Sequence, residues 1–554
     1  MPGVPGSLVG VARATPHDRK AGVRGTETVL ALVVLAAVVA TLAGRFRVPA
    51  PSLLALAGIG IGLIPGGPTV ALDPGAVSLI VLPPLLFAAS TDLALVELRA
   101  VLRSVVVLAV GLVAASAALV AVVLHGLDAQ VPLAVCFVLG AALASTDPVA
   151  VSALARELDL PPRLLALVQG ESLLNDATSL VLFQVAVAVV AAGSGLSALP
   201  ILGRFAQLAG GGLLVGLALA ALSGQLRRRT DDAVIGTVLA LLTPYAVYAA
   251  ATAVGASGVT AVVVAGLVLG DRGAPTGTAS TRLQIQTVYA VVVFLLESVV
   301  FAVIGLELPT LVRGLPAADR GFLPAALAVT LVVVGARIAW VYPATYLPAL
   351  LRRLRGRDPA ALSWQLPAVV SWAGTRGVVP LAAALSIPVT IGSGAPFPHR
   401  DLLLVLATSC IITTLVVQGL TLGPLVRRLG VVQDPVKAGR QEALGRHEAA
   451  RAALSRLDEL VDVDAVSAAV EQRVRRDLTA RLDRTGARLA AGAGVGGGAP
   501  SDGTSATYRR VRRDLLAAES ARLLQLRDAG KITESVRRRV QRSLDVEESG
   551  LTLP

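Results

Sequence analysis

The stretch ALASTDPVAVSALARELDLPPRLLALVQGESLLNDATSLVLFQV, residues 142–185, organises the whole chain. Two apolar segments are joined by a short charged turn, and each carries polar residues where a lipid-spanning helix would have none. The first segment contains STDP at 145–148, and the second contains ESLLND at 171–176. Because a charged side chain at the bilayer centre costs ~3 kcal/mol or more, these carboxylates are candidates for function.

The composition is that of a membrane protein. Of 554 residues, 55% are hydrophobic and 16% are charged, whereas a soluble protein has about 25% charged residues. Long apolar runs, such as residues 28–43 and 106–124, suit spans of roughly 20 residues. A transmembrane β-barrel would show short alternating segments instead. We therefore predict an all-α polytopic membrane protein.

Several function classes are excluded by the residue types present. The net charge of +12 lies largely in loops and in the C-terminal part, where it sets topology and meets anionic lipid, so no nucleic-acid partner is predicted. Cys136 and Cys410 lie in separate apolar spans without motif spacing, which predicts neither a disulfide nor a metal site. No nucleophile–base or metal-ligand cluster is present, so we expect neither an enzyme nor a cofactor.

The hydropathy pattern divides the chain into three parts. Residues 1–26 form an N-terminal tail, 27–427 a transmembrane domain, and 428–554 a helical tail with a Gly-rich linker near 490–505. Thirteen spans are predicted, at 27–44, 51–65, 75–91, 103–125, 130–152, 162–193, 200–224, 233–252, 255–271, 284–307, 321–350, 364–388 and 401–426.

Charge in the loops predicts the orientation of the chain. One set of alternate loops carries basic residues at fifteen positions, whereas the opposite set carries three, Arg313, Arg320 and Arg400. The basic-rich set belongs in the cytoplasm. The C-terminus is then cytoplasmic and the N-terminus extracellular, although the basic N-terminal tail disagrees. The fifteen are Arg45, Arg47, Arg99, Arg103, Arg156, Arg163, Arg227, Arg228, Arg229, Arg272, Arg282, Arg352, Arg353, Arg355 and Arg357.

The tail is predicted to be helical because apolar residues recur at helical spacing among dense charges, at 441–463, 466–488 and 506–528. Its last helix, at 536–546, is basic and amphipathic. We predict a solvated helix there, with docking on lipid or protein as the alternative.

The fifth span is predicted to be broken. Pro148 has no backbone N–H and disfavours helical geometry at Asp147. Unpaired backbone groups are tolerated at membrane depth only where they line a cavity or are buried in protein. Transporters bind ions at such discontinuous helices, so Thr146 and Asp147 are candidate ligands.

The sixth span presents a polar face. Ser172, Asn175 and Asp176 are separated by three and four positions and share one side of a helix. Their oxygens suit a hard cation such as sodium, by analogy with the hard divalent cations. Partial burial with no obvious fixed cation suits Asp176 to take either a proton or a cation. For Asp147, the alternative to a role in ion binding is a structural one, in which hydrogen bonds hold the carboxylate in place.

Glu171 points away from Asp176 and requires its own cationic partner. Arg376, between two glycines in the twelfth span, is the predicted partner, because a buried arginine prefers a bidentate carboxylate. Glu297 and Arg337, in the tenth and eleventh spans, are the candidate second pair. The alternative for Glu297 is a place on the permeation route.

These motifs resemble the monovalent cation/proton antiporters of the sodium/proton exchanger family, in its bacterial branch. Thr146-Asp147-Pro148 is similar to the family's TDP motif, the run from Glu171 to Asp176 to its ESLLND motif, and Arg376-Gly377 to its arginine-glycine motif. The resemblance covers about residues 27–427. It implies two inverted repeats, crossed discontinuous fifth and twelfth helices, elevator-like alternating access and a homodimer.

The resemblance also implies a function. It assigns the ion site to Thr146, Asp147, Ser172 and Asp176 with Asn175 structural, and the Asn-Asp pair is similar to the electroneutral branch. We expect a sodium (or lithium)/proton antiporter of the bacterial plasma membrane. Potassium/proton exchange on the same scaffold, and a transport-derived sensor that signals through its tail, are the alternatives.

One departure from the family pattern concerns the third span. Many relatives carry an acidic residue after the stretch PPLLF, but here residues 83–87 are followed by Ala88, Ala89 and Ser90. If that acid tunes the site, this protein differs in affinity or pH profile.

Overall fold

The computed structural model is helical throughout the residues that it describes, apart from turns and one isolated bridge between Thr390 and Pro396. It describes residues 34–39, 41–43, 45, 49–65, 77–149, 151, 152, 154, 160–192, 198–230, 232–272, 279–354, 363–391, 394–431, 435–462, 468–491 and 506–550. The predicted all-α polytopic class is confirmed.

The helices are numbered here in chain order. Those of the membrane part are α1 Ala50–Gly62, α2 Leu82–Asp92, α3 Leu95–Leu127 with π-helical turns at Val107–Leu112, α4 Leu133–Leu143, α5 Pro162–Ala192, α6 Ala198–Arg228, α7 Ala233–Ala253, α8 Gly258–Arg272, α9 Ala279–Gly314, α10 Phe322–Leu354, α11 Gln365–Trp372, α12 Val378–Leu385 and α13 Arg400–Leu429. Those of the tail are α14 Pro435–Asp462, α15 Ala468–Ala491, α16 Ala506–Asp528 and α17 Glu534–Gly550.

Seven helices in the described part of the chain are long and apolar enough to cross a membrane, namely α3, α5, α6, α7, α9, α10 and α13. Shorter apolar helices are α1, α2, α4 and α8. Half of the residues of the first predicted span, and nearly all of the predicted linker near 490–505, lie outside the described residues. The count of thirteen spans therefore stays a prediction.

Small residues allow the membrane helices to approach closely. A Cβ atom on Gly305 of α9 would lie 2.1 Å from the carbonyl oxygen of Ala55, and one on Gly58 of α1 would lie 2.2 Å from that of Ala302. Helices in lipid associate through such close backbone packing, because lipid supplies no hydrophobic driving force between them.

Packing sorts the helices into two groups. In one, α4 packs on α3 and α5, while α10 packs on α3 and α13; in the other, α9 packs along α1 and α8 packs on α2 and α6. Contacts of α13 with α1 and α9 join the groups. Both interrupted segments, the chain after α4 and the chain between α11 and α12, belong to the first group.

The last tail helix corrects a prediction. We predicted a solvated helix, but Val536, Val540 and Leu544 of α17 are buried in a cluster with apolar residues of α14 and α16. On its polar side, Arg538 lies 2.7 Å from Asp92 at the end of α2. The helix is amphipathic, as predicted, and its apolar face packs on other helices of the tail.

Candidate functional site

The fifth predicted span consists of two helical pieces separated by a turn. Helix α4 ends at Leu143, residues 145–148 are not helical, and helix resumes at Val149. In the second piece the Ser152 N–H donates to the Pro148 carbonyl over 2.8 Å. The break lies where the proline predicts it, and it leaves carbonyl groups at the end of α4 without partners in the helix.

Arg376 satisfies the last of those carbonyls. Its Nη1 donates to the carbonyl oxygen of Ala144 over 3.0 Å and to that of Ser145. Its backbone N–H donates to Thr414 Oγ1 of α13 over 3.3 Å. The guanidinium is 2% exposed and lies at the C-terminal, negative end of α4, where a cation is favoured.

Side chains on the polar face of α5 form hydrogen bonds with further groups at the break. Ser172 Oγ donates to the Thr146 carbonyl, and Ser179 Oγ donates to the Ala141 carbonyl over 2.7 Å. Asn175 binds Thr146 twice: its Nδ2 donates to Thr146 Oγ1 over 2.7 Å, and its Oδ1 accepts from the Thr146 N–H over 3.3 Å. The helical spacing predicted from the sequence therefore places these side chains against the interrupted span.

The two interrupted segments cross in direct contact. The Asp147 N–H donates to the Thr375 carbonyl over 2.7 Å, and Thr375 Oγ1 donates to the Asp147 carbonyl over 2.9 Å. Thr375 lies in residues 373–377, between α11 and α12, which are not helical. Each break thus supplies hydrogen-bond partners for the other, which is how irregular backbone is tolerated at membrane depth.

The predicted ion pair between Glu171 and Arg376 is wrong. Glu171 accepts hydrogen bonds from both terminal nitrogens of Arg337 on α10, and the distance from Nη2 to Oε2 is 2.9 Å. Both side chains are 1% exposed. Arg337 Nε also donates to the Val370 carbonyl over 3.0 Å. The guanidinium of Arg376 donates instead to the backbone carbonyls of Ala144 and Ser145. The predicted pair of Arg337 with Glu297 is wrong as well, because Arg337 gives all three of its nitrogens to Glu171 and the Val370 carbonyl.

Two carboxylates lie buried at the crossing. Asp147 Oδ1 accepts the Val149 N–H over 2.9 Å and so caps the second piece of the broken span. Asp176 Oδ1 and Ser145 Oγ are both buried without a hydrogen bond of regular geometry, and they lie close enough for the hydroxyl to act on the carboxylate. Among the described residues, no arginine comes within ion-pair distance of Asp176.

The donor set is one of oxygens. The described residues contain no group of three or more His, Cys, Asp or Glu side chains that could hold a metal ion. What the crossing offers is a carboxylate oxygen and a hydroxyl oxygen, both buried and unpartnered, next to a second carboxylate. Such oxygens suit a hard cation or a proton.

Four residues at the crossing were not predicted as site residues from the sequence, namely Ser145, Ser179, Thr375 and Thr414. Ser179 carried a signal, because it lies three positions after Asp176 and seven after Ser172 on one helical face. Thr375 and Thr414 carried none, because their roles depend on which segments cross.

The departure in the third span is also visible. Ser90, which lies three positions after the end of the stretch PPLLF, is buried, and its hydroxyl donates to the Phe87 carbonyl of its own helix over 3.0 Å. It lies against Gly266 of α8, where an added Cβ would be 2.0 Å from Ser90 Oγ. Ser90 therefore serves helix packing.

Crossed, interrupted helices that enclose buried carboxylates define a class of protein, the multi-pass secondary transporters. Comparison with known proteins agrees. The family described as sodium/hydrogen exchanger, transmembrane, matches residues 32–428. The chain belongs to this sodium/hydrogen exchanger family, as the resemblance of its motifs indicated, and it is a transporter of the membrane.

Relatives are similar over most of the chain. An uncharacterized Na⁺/H⁺ exchanger of Mycobacterium tuberculosis is 36% identical over 96% of this chain and 97% of its own length. A sodium, potassium, lithium and rubidium/H⁺ antiporter of Bacillus pumilus is 30% identical over 79% of this chain and 67% of its own. The sodium proton antiporter MjNhaP1 of Methanocaldococcus jannaschii shares the fold, with a TM-score of 0.56 and 21% identity over 73% of this chain and 98% of its own.

Proposed function

We propose that the protein exchanges sodium or lithium for protons by competition at Asp176, with alternating access to the two sides of the membrane. The observation that carries the proposal is the buried, unpartnered Oδ1 of Asp176, next to the equally unpartnered Ser145 hydroxyl. Glu171 has a fixed arginine partner, whereas Asp176 has none among the described residues. Arg376 acts on Asp176 electrostatically but forms no ion pair with it, so a proton or cation that can leave is well placed to neutralise this buried charge.

Competition at one carboxylate accounts for coupling. An occupied Asp176, whether it holds a proton or a cation, is neutral in sum and tolerates a low-dielectric surrounding. An empty, charged Asp176 does not, so the state without a ligand is held back from crossing between the two accessible forms. Exchange then follows, because each passage carries one ligand or the other. The ion gradients alone set the direction.

The other site residues hold the ligand positions. Asn175 and Ser172 fix Thr146 through hydrogen bonds, and the Asp147 carboxylate stands close enough to Asp176 to interact with it electrostatically. We assign Thr146, Asp147 and Ser172 to the cation site together with Asp176, and Asn175 to its framework. Ser145, which the sequence analysis left out, joins the candidate ligands.

Asp176→Asn tests the assignment. The amide has the shape of the carboxylate but can neither release a proton nor neutralise a cation, so we expect no cation-dependent proton flux in proteoliposomes. Asp232→Asn is the matched control, because exposed Asp232 caps α7 through bonds of 2.7 and 3.0 Å that asparagine also makes. Normal exchange by purified, folded Asp176→Asn protein would refute the assignment.

The identity of the cation is the finer part of the proposal. Potassium also takes oxygen ligands, and the curated Bacillus relative is named for four alkali cations, so potassium/proton exchange is the alternative. Flux measured separately with sodium, lithium and potassium in the same vesicles decides between them. One carboxylate that carries one cation or one proton predicts electroneutral exchange, and flux should then be indifferent to a potential clamped across the vesicle membrane.

A sensor that signals through its tail is the second candidate function. The observation in its favour is the docking of α17 on the membrane helices, where the Glu534 N–H donates to Glu97 Oε1 over 2.7 Å and Arg282 pairs with Asp545. This reading predicts that the full chain gives no cation-dependent flux in vesicles. Measured exchange by the full chain removes it.

Placement in the cell follows from the same proposal. The excess of arginines in alternate loops supports a multi-pass protein of the bacterial plasma membrane with its C-terminus in the cytoplasm and its N-terminus outside. The resemblance supports a homodimer. Cysteine labelling from either side of oriented vesicles tests the orientation, and the mass of the detergent-solubilised particle tests the dimer.

A further inference from the structure

Gly377 lies directly against the carboxylate of Asp147. A Cβ atom built on Gly377 would be 1.7 Å from Asp147 Oδ2, 2.4 Å from its Cγ and 2.6 Å from its Cβ. Distances below 3.0 Å do not occur between real Cβ atoms and their neighbours, so the two cannot coexist in this arrangement. The carboxylate occupies the space that a side chain at residue 377 would take.

The φ of Gly377 is not one that only glycine adopts. Gly377 has φ −128° and ψ −139° and precedes α12 without a side-chain cap. Its φ is negative, outside the left-handed region in which glycine has an advantage. The contact with Asp147 sets a requirement for space at residue 377.

Asp147 has little freedom to retreat from an added methyl group. Its backbone is held on both sides by Thr375, through the bonds of 2.7 and 2.9 Å at the crossing. Its Oδ1 is held by the Val149 N–H over 2.9 Å. Only the outer oxygen, Oδ2, can swing, so a larger residue at 377 moves the carboxylate with respect to Asp176.

We propose that Gly377 is a positioning residue of the cation site, whose missing side chain fixes Asp147 Oδ2 at the crossing. The proposal rests on the proposed function, since it takes Asp147 as part of that site. It adds that the glycine acts on cation affinity through Asp147 and does not itself touch the ion.

Gly377→Ala in the full chain is the test, with Gly335→Ala as the matched control. Gly335 lies in helix α10, and a Cβ there would meet nothing within 4 Å. We expect Gly377→Ala to raise the sodium KM at least about tenfold, because a displacement near 1 Å at a reacting group has effects of that order or more. The maximal rate should change less than the KM, and Gly335→Ala should leave both within about twofold of the parent.

Binding measured without transport separates the two proposals. Stabilisation of the purified protein against heat by sodium or lithium should be present in the parent, absent in Asp176→Asn and shifted to higher cation concentration in Gly377→Ala. A parent without such stabilisation contradicts the proposed function. A parent that is stabilised through Asp176, with Gly377→Ala behaving as Gly335→Ala does, overturns the inference alone.

A variant that fails to accumulate is also informative. In Asp147→Gly/Gly377→Ala all three clashing atoms, Oδ2, Cγ and Cβ of residue 147, are removed. Recovery of folded protein in the double variant supports the proposal, because the clash is then with the carboxylate. Failure of the double variant to accumulate, where Asp147→Gly alone does, would show that residue 377 is constrained by something other than Asp147.

Discussion

Removing one partner of the Glu171–Arg337 pair should destabilise the membrane domain severely. Each side chain is 1% exposed, and Arg337 offers two nitrogens to the carboxylate and a third to the Val370 carbonyl. Glu171→Gln leaves the guanidinium buried without a counter-charge, which costs about 3–5 kcal/mol. Loss of two charge-assisted hydrogen bonds, at ~1.5–3 kcal/mol each, gives a similar figure.

A double-mutant cycle identifies the partner. Glu171→Gln combined with Arg337→Met removes both charges, so we expect the double variant to be more stable than the sum of the single losses by more than about 2 kcal/mol. The same cycle with Arg376→Met should give a smaller coupling energy, because carbonyls hold that guanidinium. Exposed Arg320→Met is the control, expected within about 0.5 kcal/mol of the parent.

The assay is unfolding of the purified protein in mixed micelles by increasing SDS, followed through tryptophan fluorescence. Trp340 lies on α10 one turn from Arg337, and Trp372 ends α11 near the crossing, so both report on this region. A coupling energy for Glu171 that is larger with Arg376 than with Arg337 would refute the reasoning, and so would additive losses with both.

Three further predictions follow from other contacts. Arg376→Met removes the charge and the Nη1 that donates to both carbonyls, so it should lose about 1.5–3 kcal/mol in the same unfolding assay, and unchanged stability would contradict the capping role. Gly305→Ala should lose about 1–3 kcal/mol by overpacking against α1, whereas Gly314→Ala, which has open space at its Cβ, should not; equal behaviour of the two would count against close helix packing. Although burial acts to raise it, Arg512 holds the pKa of Glu547 below its usual range, so this contribution to tail stability is present above about pH 4 and is lost as the pH falls below it. Amide hydrogen exchange of residues 506–550 should speed up as the pH falls below that value, after correction for the intrinsic exchange rate. In Glu547→Gln this pH dependence should be weaker, and an unchanged pH profile in the variant would disprove the contribution.

Local features of the site could be predicted from the sequence, because they depend on geometry within one segment. Pro148 fixed the place of the break, since a missing N–H and a steric clash act on neighbouring residues alone. Spacing of three and four positions placed Ser172, Asn175 and Asp176 on one face of α5. These inferences needed no knowledge of which helices are neighbours.

Partner choice could not be predicted, because it depends on the crossing. The sequence offered Glu171 two arginines, Arg337 and Arg376, each in an apolar span, and nothing local ranks them. Arg376 was favoured for its position between glycines. In the structure that segment is not helical, and the guanidinium of Arg376 donates to carbonyl groups at the end of α4. The sequence cannot show this contact, because it joins two distant segments. The dense apolar pattern also hid the role of small residues such as Gly377, whose neighbour is distant in the chain.

The correction to the ion pair strengthens the argument for Asp176. Had Arg376 been taken by Glu171, the carbonyls at the end of α4 would have lacked a donor, and Arg337 would have needed another carboxylate. As observed, Glu171 neutralises Arg337, and the negative end of α4 takes the guanidinium of Arg376. Both arginines nearest the crossing thus donate to other groups, although Arg376 Nε makes no hydrogen bond, and Asp176 Oδ1 is buried without one as well. A carboxylate in that position favours a bound proton or metal cation, and we propose that alternation between the two is the physical basis of exchange.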